Sequence, residues 1–171
     1  LFRSEQVRSF PGVIRAELCG SLRRRKETTG DLDILASSAD PQPVLDAFVK
    51  LPQVMQVLGH GGTKASVVAA LYLEGHKVVL NADLRVVSDE QFPFALVYFT
   101  GSKEHNIRLR QRAIDHHLSL NEYGLHGAKG DLPAKSEADV YEQLGLKLIP
   151  PEMREDTGEV DAAASGKLPH L

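Results

Sequence analysis

The fold expected from this sequence is α+β: a mixed β-sheet flanked by helices, followed by a small helix-rich subdomain with a short hairpin. Three observations predict it. Apolar and polar residues alternate with a two-residue period from Val13 to Cys19. Strand-like segments at 53–58, 64–73 and 77–87 follow one another through glycine-containing turns. Beyond Ser88 the pattern changes to longer segments opened by helix-capping serines at 88, 102 and 136.

Element by element, residues 1–10 read as the end of a helix closed by Pro11-Gly12. Val13 to Cys19 is a strand, with Ile14, Ala16 and Leu18 alternating with Arg15 and Glu17. Gly20-Ser21 makes a turn from which a short helix can start, and Asp31 to Ala36 is a second strand. Asp40 followed by Pro41 places a cap and then proline at the first helical position, so residues 41–50 are helical. Gly59-His60-Gly61-Gly62 and Glu74-Gly75-His76 are expected as turns between strands that run antiparallel. Ser88 with Gln91 is a capping box, and its helix runs to about Phe99. Thr100-Gly101 breaks that helix, and Ser102 caps the next, to about His117. Residues 118–128 resemble a short hairpin; Ser136 caps a last helix that stops at Gly145. The expected organisation is therefore a first subdomain over 1–88, a second over 89–149, and a polar linker over 150–171.

Composition narrows the functions. The 42% apolar content suffices for a core, and no run of about 18 apolar residues exists, so no membrane span and no membrane partner are expected. No secretory leader is visible, and the single cysteine, Cys19, excludes an internal disulfide or a multi-cysteine zinc site. A cytoplasmic location fits. The net charge of −3 provides no overall attraction to nucleic acid, so local clusters must supply it. Two candidates are Arg23 to Lys26, and Lys103 with Arg108, Arg110 and Arg112. The seven histidines form no zinc-binding spacing.

The chemistry concentrates in "CGSLRRRKETTGDLDIL", residues 19–35. Asp31 and Asp33 lie two apart on a strand and so share a face, while Leu32 and Ile34 point the other way. Two carboxylates that close raise each other's pKa unless a cation lies between them, and a hard divalent ion such as Mg²⁺ suits oxygen ligands. Asp83, inside the apolar strand "VVLNADLRVV", is a third acid of the same kind. If the strands are neighbours, three carboxylates can hold two ions about 3.5–4 Å apart, the arrangement for in-line displacement at phosphorus. The same residues also suit a half-exposed edge strand with Asp83 paired to Arg85, and spacing alone does not separate these readings. Gly20 and Ser21 can bring donors to an anion, and Arg24 adds a planar fork for phosphate. A reverse turn followed by a solvated basic run has the same spacing.

The string "GSLRRRKETTGDLDIL" resembles the active-site signature of the family X DNA polymerases. "GGTKAS", "DLRVV", "YFTGSKEHNIRLR" and "LNEYGL" resemble further family segments, in the family's order, and "GSKEHN" with "PPEMRED" points to its bacterial and archaeal branch. The resemblance implies a nucleotidyltransferase palm and a DNA-directed DNA polymerase, acting by two-metal transfer of a dNTP to a primer 3′-hydroxyl. It implies short-gap filling in DNA repair, including base excision repair, by a monomer using two Mg²⁺ ions, with Mn²⁺ able to substitute. Primed or gapped DNA and dNTP are the implied partners.

By the same resemblance, Asp31 and Asp33 ligate both metals and Asp83 the catalytic one. Gly20, Ser21, Arg24 and Gly30 hold the phosphates. Tyr98, Phe99 and Gly101 form the segment along the sugar, and Asn106 meets the minor-groove edge of the base. Arg110 contacts the template and Lys64 a primer phosphate, while Arg85 and Glu122 belong to an open-to-closed switch. Ile107 and Ile114 are expected to pack inward. An amino-terminal DNA-gripping module and a carboxy-terminal phosphoesterase domain, usual in the family's bacterial branch, have no counterpart here, so residues 150–171 read as a linker to a missing domain. A template-independent nucleotidyltransferase and an inactive DNA-binding scaffold are the competing functions.

Overall fold

A computed structural model describes residues 4–26 and 31–169, without the side chain of Leu73. The fold is α+β, with one five-stranded mixed sheet, a three-stranded antiparallel sheet, and helices. The chain divides into two compact units. The first holds residues 1–19 and 28–92; the second holds 20–27 and 93–171. The basic segment after the first strand thus belongs with the helix-rich unit, and the main boundary falls at Phe92/Pro93, four residues beyond Ser88. Among the described residues, no helix is long and apolar enough to cross a membrane.

The first unit's strands are β1 (Val13–Leu18), β2 (Leu32–Ser38), β3 (Val54–Gly61), β4 (Lys64–Leu73) and β5 (His76–Val87), in the order β1-β2-β5-β4-β3. Only β2 and β5 run parallel. Their connection carries α3 (Pro41–Val49), whose first turn is capped by the Asp40 carboxylate accepting from the Gln42 N–H at 3.3 Å. Alternating residues of the strands meet this helix: Ile34 and Ala36 of β2, Ala65, Val67 and Ala69 of β4, and Ala82, Leu84 and Val86 of β5 surround Val44, Leu45 and Phe48. A short α1 (Ser4–Arg8) adds Val7 to the same core. The period of two then leaves Asp33 of β2 and Asp83 and Arg85 of β5 on the face opposite the core. The edge strand β3 runs through Gly59, His60 and Gly61, which the sequence marked as a turn, because Gly59, His60 and Gly61 pair with Ser66, Ala65 and Lys64. The turn itself is Gly62-Thr63.

The second unit contains α2 (Gly20–Arg23), α4 (Phe92–Thr100, all but its first residue), α5 (Lys103–Asp115), β6 (Ser119–Asn121), β7 (Gly124–Gly127), β8 (Gly130–Leu132), α6 (Glu137–Gln143) and α7 (Glu159–Ala164). The predicted hairpin is real but gains β8 as a third strand. Its core joins Phe94, Val97, Leu109, Leu125, Tyr141 and Leu144 to Ile149, Val160 and Ala163. Residues 150–169 are thus not an extended connector: a 3-10 turn (Pro151–Met153) and α7 close the core from the carboxy-terminal side. Ile107 and Ile114 do not pack inward. They are 48% and 60% exposed, and His105, Asn106, Leu109 and Ala113 take the buried face of α5.

Polar side chains do structural work inside this unit. Arg154 is fully buried. Its Nε–H donates to the Ile149 carbonyl at 2.9 Å, and Nη1 donates to Glu137 Oε2 at 2.8 Å. Arg23 reaches the same carboxylate through Nη2 at 2.6 Å and Nη1 at 2.9 Å. Burial alone would raise the Glu137 pKa, but the hydrogen bond from Arg23 and the charge of Arg154 outweigh it and hold it below the usual carboxylate range. Nearby, Glu159 is also held low: burial opposes ionisation, while His105 and backbone N–H groups of residues 156 and 157 stabilise the anion. Burial keeps His105 neutral, its pKa lowered despite Glu159. Its Nδ1–H donates to Glu159 Oε1 at 2.7 Å, and Nε2 accepts from the Tyr141 hydroxyl at 2.9 Å.

Candidate active site

Parallel pairing of β2 with β5 sets Asp33 directly beside Asp83. Register partners on adjacent strands present their side chains to one face, so two carboxylates stand together there, with Arg85 of β5 on the same face. The consequence is electrostatic. The Asp33 carboxyl is pushed above its ordinary pKa, first by burial and then by the charge of Asp83, with Asp31 adding to the effect and Arg85 and Lys64 opposing it. Lys64 Nζ lies 3.8 Å from Asp83 Oδ2. Asp31 is exposed and precedes the first residue of β2. Among the described residues, no three His, Cys, Asp or Glu side chains are grouped closely enough to hold a metal ion.

The donor set suits a hard divalent ion: paired carboxylate oxygens of like charge, one of them with its pKa raised by burial and by its neighbour. Asp33 and Asp83 are the two carboxylates that the β2–β5 register places together. Asp31 is near enough for its charge to be felt at Asp33.

In the second unit, a cleft of about 360 Å³ is lined by Arg24, Tyr98, Phe99, Thr100, Gly101, Lys103, Asn106 and Arg110. Six of these eight, all but Thr100 and Lys103, are nucleotide- or DNA-contact residues in the sequence reading. The junction of α4 and α5 makes the cleft: Gly101 adopts φ +70°, which a side chain would disfavour, and the Gly101–Ser102 peptide is cis. Ser102 then caps α5, its hydroxyl accepting from the His105 N–H at 3.2 Å. Tyr98 and Phe99 pack edge to face with centroids 5.0 Å apart. Asn106 Nδ2 donates to the Tyr98 carbonyl at 2.7 Å, while its buried Oδ1 has no partner among the described residues. An orphan acceptor beside a cleft is a ready contact for a polar ligand.

Ser21 lies in α2, and Gly20 at its start has φ +68°. Glu122 occupies the turn between β6 and β7, half-buried. Gly30 lies outside the described residues.

The two basic clusters are less available than the sequence implied. Arg23, Arg24 and Arg25 pair with Glu137, Glu155 and Glu152. Arg108 meets Asp156 and Asp161, and Arg112 Nε donates to the Leu144 carbonyl at 2.6 Å. Lys103 and Arg110 of the second cluster have no ion-pair partner among the described residues. Sequence reasoning missed Glu137, Glu152 and Glu155. Charge complementarity between the arginine run and the acidic 137–156 region was the available signal.

Comparison with known proteins bears on the family. A family model for the DNA polymerase beta thumb matches residues 95–155. The DNA polymerase/3'-5' exonuclease PolX of Bacillus subtilis (strain 168) is 38% identical over 159 residues, covering 92% of this chain. DNA polymerase lambda of Rattus norvegicus is 30% identical over 85% of this chain. Repair DNA polymerase X of African swine fever virus is 29% identical over 79% of this chain and 78% of the viral protein. The chain spans only 27% and 29% of the bacterial and rat proteins.

Proposed function

The chain belongs to the family X DNA polymerases, and from that premise we propose that it carries DNA-directed nucleotidyl transfer, adding a dNTP to a primer 3′-hydroxyl in short repair gaps. The observation that carries this reading is the adjacency of Asp33 and Asp83. Asp31, Asp33 and Asp83 would hold two Mg²⁺ ions, for which Mn²⁺ can substitute. Such ions lower the pKa of the attacking hydroxyl and neutralise charge on the triphosphate.

The protein's own groups bind and orient. Ser21 and Arg24, with Gly30, take the phosphates, where charge accumulates as pyrophosphate leaves. Tyr98, Phe99 and Gly101 line the sugar, and Asn106 addresses the base edge. Lys64 contacts a primer phosphate and Arg110 the template, contacts that position DNA without reading its sequence. In the transfer itself, the 3′-oxygen forms a bond to the α-phosphorus, the bond to the β-phosphate oxygen breaks, and Asp83 assists departure of the hydroxyl proton. Arg85, whose charge already offsets that of Asp33, and Glu122 form the switch between open and closed arrangements.

Primer extension on a one-nucleotide gap with Mg²⁺ tests the proposal. The expected result is addition of the nucleotide complementary to the template base. Addition of all four nucleotides alike would instead indicate an untemplated transferase. DNA binding without addition, and without Mn²⁺ binding in the presence of nucleotide, would indicate a scaffold.

A further inference from the structure

The three carboxylate pairs made by Arg23, Arg24 and Arg25 differ in kind. Arg25 is 81% exposed, so its pair with Glu152 at 3.2 Å is a solvent-screened contact. Arg23 shares Glu137 with the fully buried Arg154 and belongs to the core. Arg24 is distinct. Its pair with Glu155 is shielded, with side chains 15% and 26% exposed, yet its guanidinium lines the cleft.

The donors of Arg24 fall into two sets. Nε–H donates to Glu155 Oε1 at 2.6 Å, and Nη1 donates to the Thr100 carbonyl at 2.6 Å. These bonds fix the plane of the group at two points. The two Nη2 hydrogens and the second Nη1 hydrogen meet no acceptor among the described residues, and together they form the forked end that suits phosphate oxygens. The anchor is itself held in place. Arg154, the preceding residue, is locked in the core, and the Glu155 N–H donates to the Met153 carbonyl at 3.0 Å. Gly101 permits the close approach, because a Cβ there would lie 3.1 Å from Arg24 Nη1.

We propose that Glu155 is a positioning residue for nucleotide binding: with the Thr100 carbonyl it orients Arg24 so that the free fork of the guanidinium meets the phosphates of the incoming nucleotide. This rests on the reading that Arg24 grips phosphate. An unanchored arginine must give up its rotamer freedom when it binds; an anchored one has already done so. The carboxylate also offsets part of the arginine's charge, so its contribution is orientation and not attraction.

The test is equilibrium binding of dATP with Mg²⁺ to the 171-residue chain and its variants, with pyrophosphate as a competitor. Glu155→Ala is expected to weaken dATP and pyrophosphate alike by about tenfold, the scale of a lost hydrogen bond to a charged group. Glu155→Gln keeps an acceptor for Nε–H and should stay within about threefold. The Arg24→Ala/Glu155→Ala double variant should bind no more weakly than Arg24→Ala alone. In gap filling, KM for the nucleotide should rise in Glu155→Ala while kcat stays within about twofold. Should Glu155→Ala fail to fold, Glu155→Asp, one methylene too short, is expected to weaken binding in the same direction. Unchanged binding in these variants, with Arg24→Ala impaired, overturns the positioning role and leaves the nucleotide reading intact. Tighter binding also overturns it, by marking Glu155 as a competitor of phosphate. Absence of dATP binding by the unaltered chain overturns both.

Discussion

Asp33 and Asp83 stand side by side with like charge, opposed in part by Arg85 and Lys64. Each would be comfortable as an anion in water; side by side on neighbouring strands, each raises the energy of the other's charge. On the proposed two-metal reading, replacing Asp83 with Ala should reduce nucleotide addition by about 10³-fold or more, since the metal stabilisation that would be lost is worth several kcal/mol. Binding of dATP should remain within about threefold, because the proposed phosphate and base contacts lie on other residues. Loss of both together, measured by single-turnover extension and equilibrium binding, would contradict this division of labour. Glu137 poses the reverse problem. It is the carboxylate that lets Arg154 exist at zero exposure and Arg23 at low exposure. Glu137→Ala strands a buried cation, and urea denaturation should report a loss of about 3–5 kcal/mol. The letters marked Asp33 and Asp83 as acids inside apolar strands, but their adjacency depended on those strands being neighbours. The Arg23–Glu137–Arg154 cluster was not legible in the letters, because its members lie 114 and 17 residues apart and nothing local marks them as partners.

Helix α3 and helix α5 show how far periodicity reaches at the level of elements. In α3, Asp40 and Pro41 announce the start, and Val44, Leu45 and Phe48 recur at helical spacing and are all fully buried. Phe48→Ala is expected to destabilise the first unit by about 3–5 kcal/mol, read from the denaturation midpoint. In α5, the seven-residue spacing of Ile107 and Ile114 suggested a buried stripe, yet both are exposed. The buried stripe is instead His105, Leu109 and Ala113, with Asn106 beside it. A histidine reads as polar, but here both ring nitrogens find partners, so the polar residue goes inside and the isoleucines stay out. Ile107→Gln and Ile114→Gln should each change stability by no more than about 0.5 kcal/mol in the same assay.

At the scale of the molecule, acid should act on the second unit through two sets of groups. His105 is neutral in the fold and has a pKa below its ordinary 6.5, so protonation favours the unfolded chain. The stability it contributes is present above that ordinary value and is lost as pH falls through it toward the depressed folded value. Glu137 and Glu159, with pKa values below their ordinary 4.5, contribute stability above that value that is lost as pH falls further. Urea midpoints should therefore decline in two stages on acidification, one starting near pH 6.5 and one near pH 4.5. His105→Gln should remove the first stage and spare the second.

Most of the strands, the helices opened by Asp40, Ser102 and Ser136, and many of the side chains around Gly101 were readable from the letters. Each depends on interactions between residues a few positions apart, where local geometry dictates direction. The parallel pairing that joins Asp33 to Asp83 across 50 residues became definite only when the chain closed on itself, as did the burial of Arg154, the folding of residues 150–169 onto a core, and the capture of Arg24 by Glu155. Those outcomes depend on which distant surfaces meet, and desolvation and charge are decided at the meeting.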